Sequence, residues 1–190
     1  MWSGDIPSTF ESLRMSVKTG LNMAMCGIPW WNSDIGGFCG ANIESDYFKE
    51  LIVRWFQFGI FCPATRLHGA RNRTSNKIDR NPGVKERSGG DNEIWSSGTK
   101  AYSILKKLIE LRERLRPYIH KYMNIASETG APVMRPMFFD YPQDEICYSL
   151  GDQYMFGEDI LFAPIVNQGR QIVRYILLLV HGLMLMVKRK

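Results

Sequence analysis

Residues 26–38 are CGIPWWNSDIGGF, a short apolar run that leads into a polar, glycine-rich loop. A run of this kind, bounded by turn residues, is typical of a buried strand. The same plan recurs in residues 60–69, IFCPATRLHG. Amphipathic helices are predicted before the two runs, over residues 8–24 and residues 48–56. Two successive helix-strand-loop units predict an α/β fold with a parallel sheet and helical crossovers.

The start of the first helix bears on the role of Asp5. Ser8 and Glu11 have the spacing of a capping box, and apolar residues continue from them at helical intervals until Gly27 ends the helix. Asp5 is itself a residue type that caps helices. Because Ser8 offers a better cap, we expect Asp5 to serve another purpose, such as contact with a substrate.

Two further elements are predicted in the second half of the chain. Apolar residues at helical spacing follow a long polar loop that ends near Glu93, and Pro117 is expected to interrupt or kink that helix. Residues 159–166, DILFAPIV, form a short apolar run typical of a strand. Its different character indicates the start of a separate β domain.

Composition sets the broad class of protein. The chain has 190 residues, of which 45% are hydrophobic and 12% aromatic, so it can bury one ordinary core and is not a disordered segment. The cysteines show neither a close pair nor the histidine spacing of a zinc site, so we expect reduced thiols and no metal. No signal peptide precedes Trp2, which leads us to expect a cytoplasmic protein.

The net charge is +5, and basic side chains concentrate in residues 66–87, opposed there only by Asp79 and Glu86. This stretch is either a phosphate-binding surface or a solvated loop. It lacks the interleaved aromatic residues on which bases stack, so we expect no nucleic-acid partner. The apolar run near the C-terminus is shorter than the ~20 residues of a spanning helix and contains Arg174, so we expect no membrane partner.

Polar residues follow the predicted strands at corresponding places. Asp5 lies in the first loop, Asp34 in the second, and Arg66 and His68 in the third. If the strands are parallel, these loops meet at one end of the sheet. Barrel enzymes gather their catalytic groups at that end.

Three motifs in this order resemble glycoside hydrolase family 31, the family of α-glucosidases and α-xylosidases. They are Trp-Ser-Gly-Asp at residues 2–5, Asn-Ser-Asp-Ile-Gly-Gly-Phe at 32–38 and Thr-Arg-Leu-His-Gly at 65–69. The resemblance continues through RERLRPYIHKY, GAPVMRPMFFDYP and DQYMFGEDILFAPIV, and covers about residues 1–168. It implies the last strands and helices of a (β/α)8 TIM barrel in residues 1–130. A transition into an incomplete β-sandwich domain would follow in residues 131–172.

The resemblance also implies roles for individual residues. Asp5 matches the family's general acid/base, which protonates the leaving glycosidic oxygen and later deprotonates water. That role needs a carboxyl that is protonated at the first step, and desolvation by an aromatic neighbour such as Trp2 favours the neutral form. Asp34 and His68 match ligands of the sugar hydroxyls, since a carboxylate accepts and an imidazole can donate.

The roles of other residues near the implied pocket stay open. Arg66 matches a position beside the pocket, where a structural ion pair is an equal alternative. Phe38, Trp30 and Trp31 are candidates for apolar walls against a sugar face, with core packing at least as good an explanation for the two tryptophans. The implied substrate is an α-linked glycoside or oligosaccharide of glucose or xylose, with no cofactor. The oligomeric state stays open.

One element of the family pattern is absent. A retaining glycosidase uses two carboxyl groups about 5 Å apart, and the family's nucleophile lies in an upstream Trp-x-Asp-Met-Asn-Glu-like segment that this sequence lacks. Asp34 is a binding residue in the family and does not replace it. We therefore expect a partial catalytic domain that does not hydrolyse glycosides alone. The alternative is a non-catalytic carbohydrate-binding remnant that binds sugar through Trp2, Asp34 and His68.

Residues 173–190, VRYILLLVHGLMLMVKRK, depart from the family pattern, which has a Tyr-Leu-Pro-like turn, a Gly and a Trp. Codons for this run can be chosen so that a reading two bases later encodes KIYLASGTWINAYG, which restores Tyr-Leu, Gly-Thr and Trp. We therefore expect a shifted reading frame from Val173 onward, with the family sequence ending near Gln171.

Removal of residues 173–190 tests this expectation. Out-of-frame residues were never selected to pack on the domain, and an apolar run without a partner promotes aggregation. The shortened chain should therefore melt at the same temperature as the full chain, or higher, and be more soluble. A melting temperature lowered by several degrees would show that the run packs on the domain.

Overall fold

The computed structural model describes residues 1–71 and 91–172. The predicted basic stretch beyond Arg71 and the segment 173–190 lie outside these ranges. The helices are α1 Phe10–Met25, α2 Asp46–Gly59, α3 Thr99–Arg114, α4 Arg116–Thr129 and α5 Met137–Asp140, the strands are β1 Met134–Pro136, β2 Tyr154–Phe156 and β3 Ile160–Phe162, and a 3-10 helix spans Glu145–Ser149.

Three extended segments run parallel to one another and form the sheet-like part of the barrel portion. We call residues 1–8 the first segment, residues 30–39 the second and residues 64–71 the third. The second segment lies between the other two and pairs with both. The pairs are the isolated parallel bridges Trp2↔Asn32, Pro7↔Cys39 and Asp34↔Arg66. The predicted parallel pairing is confirmed, as single bridges in place of longer ladders.

The glycine-rich loop explains why the second segment does not continue as a regular strand. Gly37 adopts a φ of 76°, a left-handed conformation that interrupts an extended chain. A Cβ atom at Gly37 would lie 2.7 Å from the carbonyl oxygen of Pro7. Glycine therefore allows the first and second segments to approach closely at this point.

Helices α1 and α2 bury the apolar side of these segments. Leu13 and Val17 of α1 and Leu51 and Trp55 of α2 are almost fully inaccessible to solvent. The Trp55 indole N–H donates to Ser33 Oγ at 2.8 Å, which fixes α2 against the second segment. No helix in the two described ranges combines the length and apolarity needed to cross a bilayer.

The predicted start of α1 is wrong by one residue. The N-cap is Thr9, whose Oγ1 accepts from the backbone N–H of Ser12 at 3.1 Å. The Ser8 N–H donates instead to the Cys39 carbonyl at 3.0 Å, so Ser8 belongs to the first segment. Tertiary pairing therefore overrides the capping box that Ser8 and Glu11 suggest.

The expected break at Pro117 is confirmed. Helix α3 ends at Arg114, α4 begins at Arg116, and Pro117 lies in the first turn of α4, where its missing N–H breaks no helical hydrogen bond. Near the end of α3, Arg112 donates to backbone carbonyls just before the third segment. The acceptors are Ile60 at 2.6 Å, Cys62 at 2.5 Å and Pro63 at 2.8 Å.

Strands β1, β2 and β3 form an antiparallel sheet in that order. The strand predicted in residues 159–166 is β3, and its Phe162 pairs with Tyr154 of β2. The Tyr118 hydroxyl of α4 donates to the Phe156 carbonyl at 2.8 Å and so attaches the sheet to the helical part. This sheet corresponds to the expected start of a β domain. No disulfide joins the cysteines, all of which lie in the described ranges.

Substitution of the two neighbouring hydroxyl residues tests the helix start. Thr9→Ala should lower the free energy of unfolding by about 1 kcal/mol, because it removes the side-chain cap. Ser8→Ala is the matched control and should have little effect, because the buried Ser8 Oγ has no hydrogen-bond partner among the described residues. Urea denaturation followed by circular dichroism measures both. A larger loss in Ser8→Ala than in Thr9→Ala would contradict the assignment.

Candidate active site

A buried carboxylate connects the three segments. Asp34 of the second segment is 0% exposed. Its Oδ1 accepts from Arg66 Nε of the third segment at 2.9 Å and also from Arg66 Nη2. Its Oδ2 accepts from the indole N–H of Trp2, in the first segment, at 3.2 Å. We call Trp2, Asp34 and Arg66 the Asp34 cluster.

The backbone dictates this arrangement. Asp34 and Arg66 form a parallel bridge, and the Ile35 N–H donates to the Arg66 carbonyl at 3.1 Å. The Arg66 guanidinium also lies over the Trp2 ring, with Cζ 5.7 Å from the ring centroid. Arg66 forms an ion pair with Asp34. The Arg66 side chain is 43% exposed and forms part of the surface beside Asp34.

Asp5 lies at the corner of a tight turn in the first segment. The Ile6 N–H donates to the Gly4 carbonyl at 2.9 Å, which closes a three-residue turn around Asp5. The Ile6 carbonyl accepts from the N–H of Phe38 at 2.8 Å, so the turn is held against the second segment. Asp5 itself is exposed. Within the described residues the Asp5 side chain is not desolvated by Trp2, whose indole N–H donates to Asp34.

Phe38 and His68 form a second contact between the segments. Their ring centroids are 5.4 Å apart at an interplanar angle of 48°. The Ala70 N–H donates to the Phe38 carbonyl at 2.8 Å, which keeps the two loops in register. His68 is exposed, while Phe38 is partly buried. The two predicted wall tryptophans differ: Trp31 is a core residue at 3% exposure, and Trp30 is 44% exposed.

The predicted site residues thus occupy neighbouring positions on the three segments. Trp2, Asp34 and Arg66 are in direct contact, Phe38 contacts His68, and Asp5 joins them through the backbone of its turn. All project from the three parallel segments. The sequence-based expectation that these loops meet at one end is consistent with this arrangement.

Arg71, which the sequence analysis left within the basic stretch, lies beside the Asp34 cluster. It is 2% exposed, and its guanidinium donates to backbone carbonyls of the second segment. Burial lowers the pKa of Arg71 to about 10, although the nearby Asp34 carboxylate opposes this shift, so the guanidinium is charged at neutral pH. Within the described part of the basic stretch, Arg66 and Arg71 are both engaged internally, which argues against phosphate binding there. Gly69, two residues before Arg71, is the sequence feature that fits this close packing, because a Cβ atom there would lie 2.5 Å from Arg71 Nη1.

Comparison with known proteins agrees with this arrangement. A family model described as "Glycosyl hydrolases family 31 TIM-barrel domain" matches residues 1–122. A second model, "Glycosyl hydrolase family 31 C-terminal domain", matches residues 130–178. The chain therefore belongs to glycosyl hydrolase family 31.

Individual relatives are enzymes that act on sugars. An α-xylosidase of Saccharolobus solfataricus is 34% identical over 164 residues, which cover 86% of this chain and 20% of that protein. The crystal structure of an α-xylosidase of this family from a soil metagenome, complexed with xylose, has a TM-score of 0.81 and 51% identity, covering 90% of this chain and 25% of that one. A Flavobacterium johnsoniae dextranase complexed with glucose has a TM-score of 0.74 and 35% identity, covering 89% and 20%. The chain thus spans a quarter or less of each of these relatives.

A double-mutant cycle tests the Asp34 cluster. Asp34→Asn and Arg66→Ala should each destabilise the chain, and the cycle should give a coupling free energy of about 1–2 kcal/mol, because each change leaves a partner unpaired beside a buried group. The matched control is the exposed pair Asp46 and Lys49, whose Oδ1 and Nζ atoms are 3.9 Å apart. Its coupling should stay below about 0.5 kcal/mol. Equal couplings in the two cycles would contradict the assigned role of Asp34.

Proposed function

We propose that this chain forms the acid/base side of the active site of a retaining α-glycosidase that acts on terminal α-linked xylose or glucose residues. One observation carries the proposal: the turn that presents the exposed Asp5 side chain is held by backbone hydrogen bonds to the same segment that carries Asp34. The relatives described as α-xylosidases support the substrate class, and the 51% identical one is complexed with xylose.

In the proposed mechanism Asp5 acts in both steps. Its protonated carboxyl first donates a proton to the glycosidic oxygen as the bond from that oxygen to the anomeric carbon breaks. The resulting carboxylate then takes a proton from the water that attacks the glycosyl-enzyme intermediate. Asp5 is exposed in the described part of the chain, so both the leaving group and this water can reach its carboxyl.

Asp34, His68 and Phe38 would orient the sugar ring. Each carboxylate oxygen has two acceptor sites, and each oxygen of Asp34 already accepts from a neighbour. Asp34 is fully buried in this chain, so a sugar hydroxyl reaches the remaining acceptor site on Oδ2 only after neighbouring side chains such as Trp2 move aside. The exposed His68 imidazole donates to a second hydroxyl, and the Phe38 ring packs against the apolar face of the sugar.

The nucleophile of this mechanism lies outside the three segments. Their only carboxyl groups are those of Asp5 and Asp34. Asp34 is buried and paired with Arg66, so it is poorly placed to attack an anomeric carbon. This observation also favours a second candidate function, sugar binding without turnover. Titration of the purified chain with xylose, combined with an assay of aryl α-xyloside hydrolysis, separates the two.

Transfer of this chain into a related enzyme tests the role of Asp5. Residues 1–168 would replace the matching part of the soil-metagenome α-xylosidase, which supplies the remaining barrel. We expect the chimera to hydrolyse an aryl α-xyloside, whereas residues 1–190 alone do not. In the chimera Asp5→Ala should lower kcat by about 10²-fold or more for a poor leaving group, because a positioned acid is lost. The loss should shrink when the leaving group is activated and needs no protonation.

The control in the same chimera is Asp46→Ala, which removes an exposed carboxylate at the start of α2. Its kcat should stay within about twofold of the parent, because it lies away from the glycosidic bond. Equal losses of kcat for poor and activated leaving groups in Asp5→Ala would contradict the acid role. Hydrolysis by the isolated chain that disappears in Asp5→Ala would contradict the external nucleophile.

A further inference from the structure

We propose that Arg71 is a positioning residue of this active site, whose guanidinium holds the second and third segments in the arrangement that presents Asp34, Phe38 and His68 to one sugar. Its relation to a sugar rests on the function proposed above. Its relation to the backbone rests on the contacts of the guanidinium alone.

The acceptors of Arg71 are the carbonyls that flank the sugar-contact residues. Nη1 donates to the Gly37 carbonyl at 2.6 Å, directly before Phe38. Nη2 donates to the Ile35 carbonyl at 2.9 Å, directly after Asp34. Nη2 also donates to the carbonyl of His68 at 3.3 Å. One side chain therefore fixes the peptide groups beside three proposed ligands.

The remaining contacts anchor the guanidinium from the outside. Nε donates to Asn92 Oδ1 at 2.7 Å, which connects Arg71 to the chain before α3. The Cζ atom lies 5.0 Å from the centroid of the Phe48 ring of α2, within cation–π distance. Arg71 is thus held by α2 and by Asn92 while it holds the two loops. Because the guanidinium is restrained by both Asn92 and Phe48, its position is well defined, and it can in turn restrain the carbonyls of the two loops.

The shape of the guanidinium matters as much as its charge. A planar fork with separate N–H donors reaches several carbonyls at once, whereas the ammonium of lysine is a single point. The loops leave little room around the fork: a Cβ atom at Gly69 would lie 2.5 Å from Nη1. A lysine at this position keeps the charge but cannot bridge the Ile35, Gly37 and His68 carbonyls together.

The experiment compares Arg71→Lys with the parent chain of residues 1–190. Two measurements are made: the dissociation constant for xylose by NMR titration, and the nuclear Overhauser effect between the Phe38 and His68 rings without sugar. We expect Arg71→Lys to weaken xylose binding at least tenfold and to abolish the ring-to-ring signal, while circular dichroism still shows helix. Retained binding within twofold together with a retained ring signal would overturn the proposal.

Arg112→Lys is the matched control. Arg112 is a second arginine that donates to several backbone carbonyls, but its acceptors precede the third segment. It should lower the melting temperature without moving the Phe38 to His68 signal or the xylose affinity. Similar changes of that signal in both variants would mean that Arg71 has only a general stabilising role.

If Arg71→Lys does not fold, Asn92→Ala removes only the acceptor of Nε and should weaken the ring signal and xylose binding two- to fivefold. Unchanged values would then overturn the proposal. If the parent chain binds no xylose, the proposed function fails in this chain, and the ring signal alone decides whether Arg71 positions the loops.

Discussion

The buried carboxylate of Asp34 is the constraint on which the three segments depend. A carboxylate removed from water is costly unless charged and hydrogen-bonding partners compensate it. Here the compensation comes from both sides, through Arg66 of the third segment and Trp2 of the first. Because the segments pair through isolated bridges and separate backbone hydrogen bonds and not through regular ladders, these side-chain contacts add to the pairing that a continuous ladder provides in a regular sheet. Asp34, which is proposed to bind sugar, therefore also connects the three segments.

Two arginines extend the same principle along the segments. Arg71 binds carbonyls at the loop end, beside Asp34, Phe38 and His68. Arg112 binds carbonyls where the third segment begins. Helices α1 and α2 bury the apolar side of this region. The hydrogen bonds of the two arginines determine how the loops are arranged. Asp34, Arg66, Arg71 and Arg112 therefore act mainly by aligning the three segments, and contribute less to the solubility of the surface.

The sequence predicted the helices well because their apolar periodicity is local, and Pro117 marked the break between α3 and α4. The parallel order of the segments was also predictable from the repeated helix-strand-loop plan. The start of α1 was wrong because the Ser8 N–H pairs with Cys39, a contact no local pattern reveals. The burial of Asp34 and of Arg71 was missed for the same reason. A basic, glycine-containing stretch suggests a solvated loop, and only the folded chain shows which arginine turns inward.

The most direct test of this account is native-state hydrogen exchange of the amides that join the segments. These amides are Ser8, Ile35, Phe38 and Ala70. If side-chain contacts lock the segments, their protection should approach that of the buried amides of α2 and should fall in Arg66→Ala. Exchange as fast as in an unstructured peptide, with α2 still protected, would contradict the account, because the loops would then not be held together before sugar binds.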